Sequence, residues 1–196
     1  MKKLVCAVFA VAVLSSPAFA APFTGGYIGA EIGYDHYEVK AEDVFGGGES
    51  IDGLSGNGLV GGVFAGYDLP LGSNAFGGVE ASLNTSGAKI TASDGIDTLT
   101  VKAKESYGIS GRVGMMLNDS TGIYGRFGWE NTKFKASVGG DSESETEDGW
   151  RYGAGVETRV GSNASLRIEY NIVDYGNTLD TDAKNYQVRG GIAFRF

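Results

Sequence analysis

Glutamate and arginine residues occur at alternate positions in several segments of this 196-residue chain. Such residues can support general acid–base catalysis, in which a positioned carboxyl group transfers protons. They can equally pair with one another and fill an enclosed space. The near balance of the two charges favours the second interpretation, because an unpaired buried charge costs several kcal/mol. The interior charge network predicted in this way consists of Glu31, Glu80, Arg112, Arg126, Glu130, Arg151, Glu157, Arg159, Arg167, Glu169 and Arg189.

The other candidate motifs lack the partners that their chemistry needs. His36 is the only histidine, and Asp35 beside it would point to the opposite face of a strand, with no nucleophile motif in reach. The G-x-G-x-x-G pattern over residues 56–61 does not lead from a strand into a helix, as a nucleotide site requires. The acidic run 141–148 lacks the ligand spacing of a calcium loop, which favours a solvated loop tip over a divalent-cation site. We therefore predict no catalytic residue, no cofactor and no metal site, and a protein that is not an enzyme.

Eight segments with period-two hydrophobicity position these charges. Each has apolar residues on one face and glycine, glutamate or arginine on the other, as in half-buried strands. The segments cover residues 28–35, 62–69, 78–84, 99–117, 123–130, 151–160, 166–172 and 187–196. Alternation is predicted to continue without interruption through the long fourth segment. Its odd-numbered residues, from Leu99 and Ala103 to Leu117, would form the apolar face, and its even-numbered residues, including Lys102, Lys104 and Arg112, would form the polar face.

The connections between these segments alternate in length. Short turns are predicted at 70–74, 118–121 and 161–164, and longer loops at 40–57, 86–97, 137–149 and 176–184. Short turns at one rim and long loops at the other are typical of an up-and-down barrel of the outer membrane.

Alternation alone leaves open which face points inward. A lipocalin-like soluble barrel would enclose the apolar face, whereas a membrane barrel exposes it to lipid. The polar face is rich in glycine, which suits the narrow interior of an eight-stranded barrel. Its charges nearly balance, and aromatic residues such as Tyr67 and Trp129 fall near strand ends on the apolar face. We therefore predict an all-β fold, an eight-stranded antiparallel up-and-down transmembrane β-barrel.

The first 20 residues have the layout of a secretory signal peptide. Lys2 and Lys3 precede the apolar stretch Leu4–Leu14, and the small residues Ala18 and Ala20 frame a cleavage site. We predict a signal peptide at residues 1–20 and a barrel domain at residues 21–196. The only cysteine lies in the leader, so the mature chain would have no thiol or disulfide.

The last strand carries its apolar residues at alternate positions up to the final phenylalanine. Phe196, Phe194 and Ile192 form this pattern, which resembles the last strand of outer-membrane barrels, and the resemblance implies that it acts as an assembly signal. Loss of Phe196 is predicted to lower assembly yield more than loss of Glu145. The formal net charge of −8 does not by itself favour nucleic acid or anionic lipid as a partner.

Several short motifs resemble the small outer-membrane β-barrel family, which includes the OmpA transmembrane domain, OmpX and the Opa-type or "porin family" proteins. They are Gly25–Gly29, Gly66–Asp68, Gly78–Glu80, Tyr152–Glu157 and Leu166–Tyr170. The resemblance covers nearly all of the mature chain. It implies export through the periplasm and insertion by the outer-membrane assembly machinery of a Gram-negative bacterium.

These observations predict a structural protein of the cell outer membrane. Its expected partners are outer-membrane lipid and lipopolysaccharide, with the assembly machinery during biogenesis, and we expect a monomer. Exposed acidic loops would contribute to envelope integrity or surface interaction. A small passive pore is the alternative, although an eight-stranded interior is about filled by its own side chains. A lipid A-modifying enzyme is disfavoured by the missing catalytic constellation.

Overall fold

The computed structural model describes residues 23–41, 51–93, 98–138, 141–178 and 181–196. The signal peptide predicted at residues 1–20 lies outside the described residues. The described residues form nine strands: β1 (Gly25–Ala41), β2 (Ile51–Pro70), β3 (Ala75–Ser86), β4 (Lys89–Ser93), β5 (Thr98–Met116), β6 (Thr121–Val138), β7 (Asp141–Arg159), β8 (Ala164–Thr178) and β9 (Thr181–Arg195). Within the described parts of the chain, no helix is long and apolar enough to cross a membrane.

All strands pair antiparallel with their neighbours, and the sheet closes on itself. The order around the sheet is β1, β9, β8, β7, β6, β5, β3 and β2, and β2 pairs with β1 to complete the cylinder. The short β4 follows β3 after a break at residues 87–88 and pairs with β5 on one side and β2 on the other. Strands β3 and β4 therefore share one place in the wall. The prediction of a closed, eight-stranded antiparallel barrel is confirmed.

The apolar face of the strands points outward. Val79 and Val113 are each 59% exposed, whereas the adjacent Glu80 and Arg112 are 2% and 4% exposed. The same contrast holds in β7, where Val156 lies outside and Glu157 inside. An outward apolar face suits lipid and an inward charged face suits an enclosed lumen, so the membrane interpretation is correct and the lipocalin interpretation is wrong.

The long loops expected at one rim are largely absent from the described residues. Strand β6 continues to Val138 and β7 begins at Asp141, so the acidic run 141–148 belongs to a strand and not to a loop tip. Likewise β1 continues to Ala41, and β2 begins at Ile51. The remaining parts of the predicted loops, residues 42–50, 94–97, 139–140 and 179–180, lie outside the described residues. Apolar alternation does not indicate these extensions because they carry polar side chains on their outer face.

A register shift in β5 changes which side chains face the lumen. The pairing between β5 and β6 slips between Ala103 and Ser106, where β5 contains an extra residue. Ala103 is consequently buried at 4% exposure, although the sequence pattern assigned it to the outer face. Lys102 is exposed instead of facing the lumen. The prediction of a single parity along residues 99–117 is therefore wrong.

The short turns between strands give names to the two ends of the cylinder. We call the end with the turns at residues 71–74, 117–120 and 160–163 the turn end, and the opposite end the far end. At the turn end, the Asn118 side chain accepts hydrogen bonds from the backbone amides of Ser120 and Thr121, an arrangement that fixes a tight turn. Turns of this kind are expected at the periplasmic rim of an outer-membrane barrel.

Candidate functional site: the charged lumen

The lumen is filled by a network of ion pairs that begins just above the turn end. Arg112 contacts Asp68 through Nε at 2.8 Å and Glu157 through Nη1 at 3.0 Å. Arg195 contacts the same two carboxylates, each at 2.8 Å. Two cations therefore share two carboxylates in alternation, which satisfies several donors and acceptors of each buried group.

The central part of the network joins four walls of the barrel. Glu80 accepts hydrogen bonds from Arg126 at 2.7 Å and from Arg167 at 2.5 Å. Arg126 also contacts Glu169 at 2.6 Å, and Arg167 contacts Glu31 at 2.8 Å. Each of these side chains is at most 2% exposed, so the charges are neutralised by one another rather than by water.

Aromatic residues connect the two parts of the network. The Tyr27 hydroxyl donates a hydrogen bond to Glu80 at 3.0 Å, while the Arg112 guanidinium lies over the Tyr27 ring at 4.7 Å. Arg112 also lies over the ring of Tyr124, whose hydroxyl donates to Glu169. Both tyrosine rings therefore contact Arg112, near the turn end, while their hydroxyl groups donate hydrogen bonds to carboxylates in the central part of the network.

The network continues toward the far end. Arg189 contacts Glu31 at 3.0 Å and Asp35 at 3.4 Å, and Arg151 pairs with Glu130. Buried amide side chains occur in the same strands, and several of their polar atoms lack a protein partner. These are Asn84, Asn171, Asn185 and Gln187.

Apolar clusters close the lumen at both ends. At the turn end, Phe23 packs edge-on against Phe76 at 5.3 Å, beside Met116 and Tyr124. At the far end the cluster consists of Tyr37, Ala88, Ala103, Val173 and Tyr175, with Phe134 and Ala183 packed against it. The charged network is therefore enclosed between two apolar layers, an arrangement that excludes bulk water from its ion pairs.

Glycine makes room for these large interior side chains. A Cβ at Gly66 would overlap the Tyr27 hydroxyl, and one at Gly155 would lie 2.6 Å from the Tyr124 ring. A Cβ at Gly62 would overlap Asn84 in the same way. Without these glycines the tyrosines could not reach their carboxylate partners.

The structure places ten of the eleven residues of the proposed network inside the lumen with at most 7% exposure, namely Glu31, Glu80, Arg112, Arg126, Glu130, Arg151, Glu157, Arg167, Glu169 and Arg189. Arg159 lies instead at the turn end, where its guanidinium stacks on Phe23 at 4.6 Å and donates to the Asp119 carbonyl.

Three residues of the network escaped the sequence prediction. The alternation pattern places Asp35 and Asp68 on the same face as the interior glutamates. It does not show that they form ion pairs with Arg189 and Arg112. Arg195 stands beside the final phenylalanine and also has interior parity. Alternation identifies the face of a residue, whereas its partner depends on which walls the closed cylinder brings together.

The structure also locates the remaining candidate motifs of the sequence. His36 faces outward, with Nε2 3.3 Å from Glu38, and residues 56–61 lie in the middle of β2. Among the described residues, no cluster of three or more histidine, cysteine, aspartate or glutamate side chains could hold a metal ion. Phe194 and Phe196 are exposed on the outer face, and the Phe196 amide donates to the Gly26 carbonyl at 3.0 Å.

A closed barrel with an apolar exterior and an ion-paired lumen defines an integral outer-membrane protein. The family described as "Outer membrane protein beta-barrel domain" matches residues 6–196, and the chain belongs to this family. The 25 kDa outer-membrane immunogenic protein of Brucella ovis is 30% identical over 184 residues, covering 92% of this chain and 83% of the relative. The 31 kDa outer-membrane immunogenic protein of Brucella melitensis is 31% identical over 210 residues, covering 93% and 87%.

A solved structure shows the same fold. The crystal structure of Neisserial surface protein A has a TM-score of 0.59 and 15% sequence identity, and the match covers 88% of this chain and 98% of that one. Together, the family and the relatives identify an outer-membrane protein of a Gram-negative bacterium.

Proposed function

We propose that this protein is a structural component of the outer membrane that contributes to envelope integrity and presents its far end for surface interaction. The observation that carries the proposal is the ion-paired lumen between two apolar layers. An interior filled in this way stabilises the cylinder but offers no open path through it. Function would then reside on the outer surface and at the far end.

The far end has the chemistry of an exposed surface. In β7, residues 142–147 alternate serine or threonine with glutamate, and five of these six residues are exposed. In the register with β6, Glu143, Glu145 and Glu147 lie on the same face of β7 as the interior residue Arg151. The serine and threonine residues between them lie on the outer face. A column of three carboxylates on one strand at the far end favours contact with cations or basic partners. The Brucella relatives are named outer-membrane immunogenic proteins, which supports a role at the cell surface.

Conductance in planar bilayers distinguishes a structural barrel from a passive pore. We expect the refolded protein to insert and show no sustained conductance steps, because Glu80, Arg126 and Arg167 occupy the lumen. Heat-modifiable gel mobility and fractionation with the outer membrane would verify that the tested protein is folded and inserted. Sustained open steps from a folded protein would overturn the proposal in favour of the pore.

The envelope role needs a cellular measurement. A deletion strain is expected to become more sensitive to detergent and to large antibiotics, and the intact gene should restore resistance. Lipid A mass spectra with and without the protein should be identical, since we propose no enzymatic role. Unchanged sensitivity, or a protein-dependent change in lipid A mass, would contradict the proposal.

A further inference from the structure

Three lysines form a continuous row on the outer face of the barrel, near the far end. Lys102 of β5 pairs directly with Lys89 of β4 on one side and with Lys135 of β6 on the other. The row ends at Asn57 of β2 and Ser144 of β7, so none of its five members is acidic. We call Lys89, Lys102 and Lys135 the lysine row.

The register shift in β5 creates this row. With a single parity throughout β5, Lys102 would point into the lumen. The shift between Ala103 and Ser106 turns Ala103 inward and Lys102 outward, in line with its two neighbours. Phe134, next to Lys135, packs against the apolar cluster at the far end, as Ala103 does. Inward apolar neighbours therefore hold two of the three lysines on the outer face.

Like charges directly opposite one another destabilise a sheet. None of the three lysines makes an ion pair with any residue that the structure describes, and Lys89 and Lys102 are exposed. Two further lysines lie close to the row, Lys104 in the shifted segment and the exposed Lys133 opposite it, and the shifted segment also contains one exposed carboxylate, Glu105. The five lysines leave a clear excess of positive charge. Such a concentration of positive charge on a chain with net charge −8 is suited to an anion supplied from outside the protein.

The position of the row along the barrel indicates the source of that anion. Aromatic side chains of the outer face meet just below it, with Tyr107 edge-on to Trp129 at 5.6 Å and Phe127 stacked on Trp150 at 5.2 Å. Aromatic belts of this kind lie at the level of the lipid headgroups. Tyr107 pairs with Asn131, and Lys135 lies four residues further along β6. At about 3.4 Å per residue and a tilt of about 40°, the row stands about 10 Å outward from Tyr107.

We propose that the lysine row binds phosphate groups of lipopolysaccharide in the outer leaflet. An ammonium group is a compact phosphate-binding charge, and three at adjacent strand positions can contact more than one phosphate of a single glycolipid. The inference rests on the proposed function only in placing the far end of the barrel at the cell surface. It gives the envelope role a specific contact, in which the barrel replaces the divalent cations that otherwise neutralise these phosphates.

The test compares the wild-type protein with the triple variant K89Q/K102Q/K135Q. Each folded protein, in uncharged detergent micelles, is titrated with purified lipopolysaccharide while the fluorescence of Trp129 and Trp150 is followed. Since one cation near an anionic surface contributes about a factor of five in affinity, we expect the triple variant to bind at least tenfold more weakly. The matched controls are K89R/K102R/K135R, which keeps the charge, and K184Q, whose lysine pairs with Asp174 at 3.7 Å. Both should remain within about twofold of wild type.

A second measurement needs no variant and therefore does not depend on the triple variant folding. Wild-type protein is titrated with the same lipopolysaccharide after chemical removal of its phosphates, and with phosphatidylglycerol at equal phosphate concentration. Both are expected to bind at least tenfold more weakly than intact lipopolysaccharide. Equal binding of the dephosphorylated lipid, equal binding of phosphatidylglycerol, or wild-type affinity of a folded triple variant would each overturn the inference. Conductance and outer-membrane fractionation of the wild-type protein are independent of these results, so the proposed function is tested separately.

Discussion

Glu80 on β3 and Arg167 on β8 stand on opposite walls of the barrel, and their side chains meet at 2.5 Å. The two strands are separated by three others in either direction around the sheet. A contact between such positions exists only if the cylinder is closed and narrow. The Glu80–Arg167 pair also fills the centre of the lumen, because Arg126 contacts the same carboxylate from a third wall at 2.7 Å.

Removing the central carboxylate should strongly destabilise the barrel. Glu80→Ala leaves Arg126 and Arg167 with fewer anionic partners in a dry interior, and we expect a loss of about 3–5 kcal/mol in the free energy of unfolding. Urea unfolding of protein refolded in lipid vesicles, followed by tryptophan fluorescence, measures this loss. Glu105→Ala, at an exposed position of β5, is the control and should change stability by less than about 0.5 kcal/mol. Equal midpoints for the two variants would contradict the central role of Glu80.

A charge placed on the outer face should reveal where the lipid lies. Ile109 is 58% exposed in the middle of β5, and Ile109→Lys is expected to cost about 2–4 kcal/mol in the same unfolding assay, because the lysine would enter the hydrocarbon layer. Thr85→Lys, nearer the far end of β3, should cost at most about 1 kcal/mol. A smaller loss for Ile109→Lys than for Thr85→Lys would contradict the assigned membrane band.

Interior and exterior glycines should respond differently to an added side chain. A Cβ at Gly62 would collide with Asn84 in the lumen, whereas one at Gly190 would meet no atom within 4 Å. We expect Gly62→Val to lower the free energy of unfolding by about 1–3 kcal/mol and Gly190→Val to leave it nearly unchanged. Vesicle unfolding of both variants at one lipid composition provides the comparison, and similar losses at the two sites would refute the packing argument.

Deletion of Phe196 should lower the yield of assembled barrel. The Phe196 amide donates a hydrogen bond to the Gly26 carbonyl beside the seam between β1 and β9, and the residue is 80% exposed. Heat-modifiable mobility of outer-membrane fractions measures the yield. Because Glu145 lies within β7, its deletion would shift the register of that strand, so Glu145→Ala is the suitable control. Equal yields for the two variants would remove the case for an assembly signal in the last residues.

Period-two alternation predicted the fold because lipid and lumen impose opposite demands on neighbouring residues. Val79 and Glu80 have opposite polarity for this reason, and the same contrast could be recognised in each membrane-crossing segment. The face of each residue was enough to predict the fold, whatever the exact strand boundaries.

Two features could not be predicted from that signal. Beyond the lipid, the outer face no longer has to be apolar, so the polar residues 142–147 gave no sign that β7 extends through them. The register shift near Ala103 has no compositional mark either, since it depends on how β5 meets β6. Partner choice, such as Asp68 with Arg112 and Arg195, follows from closure of the cylinder and not from spacing along the chain.

The contact between Glu31 and Arg189 joins the first strand to the last, at 3.0 Å across the seam. Until β1 and β9 pair, the Glu31 carboxylate and the Arg189 guanidinium cannot contact each other, and both charges face an open interior. Pairing of the first strand with the last therefore also neutralises these two charges in the lumen. A barrel with an open seam would be electrically as well as geometrically incomplete, so closing the wall and neutralising the interior depend on each other.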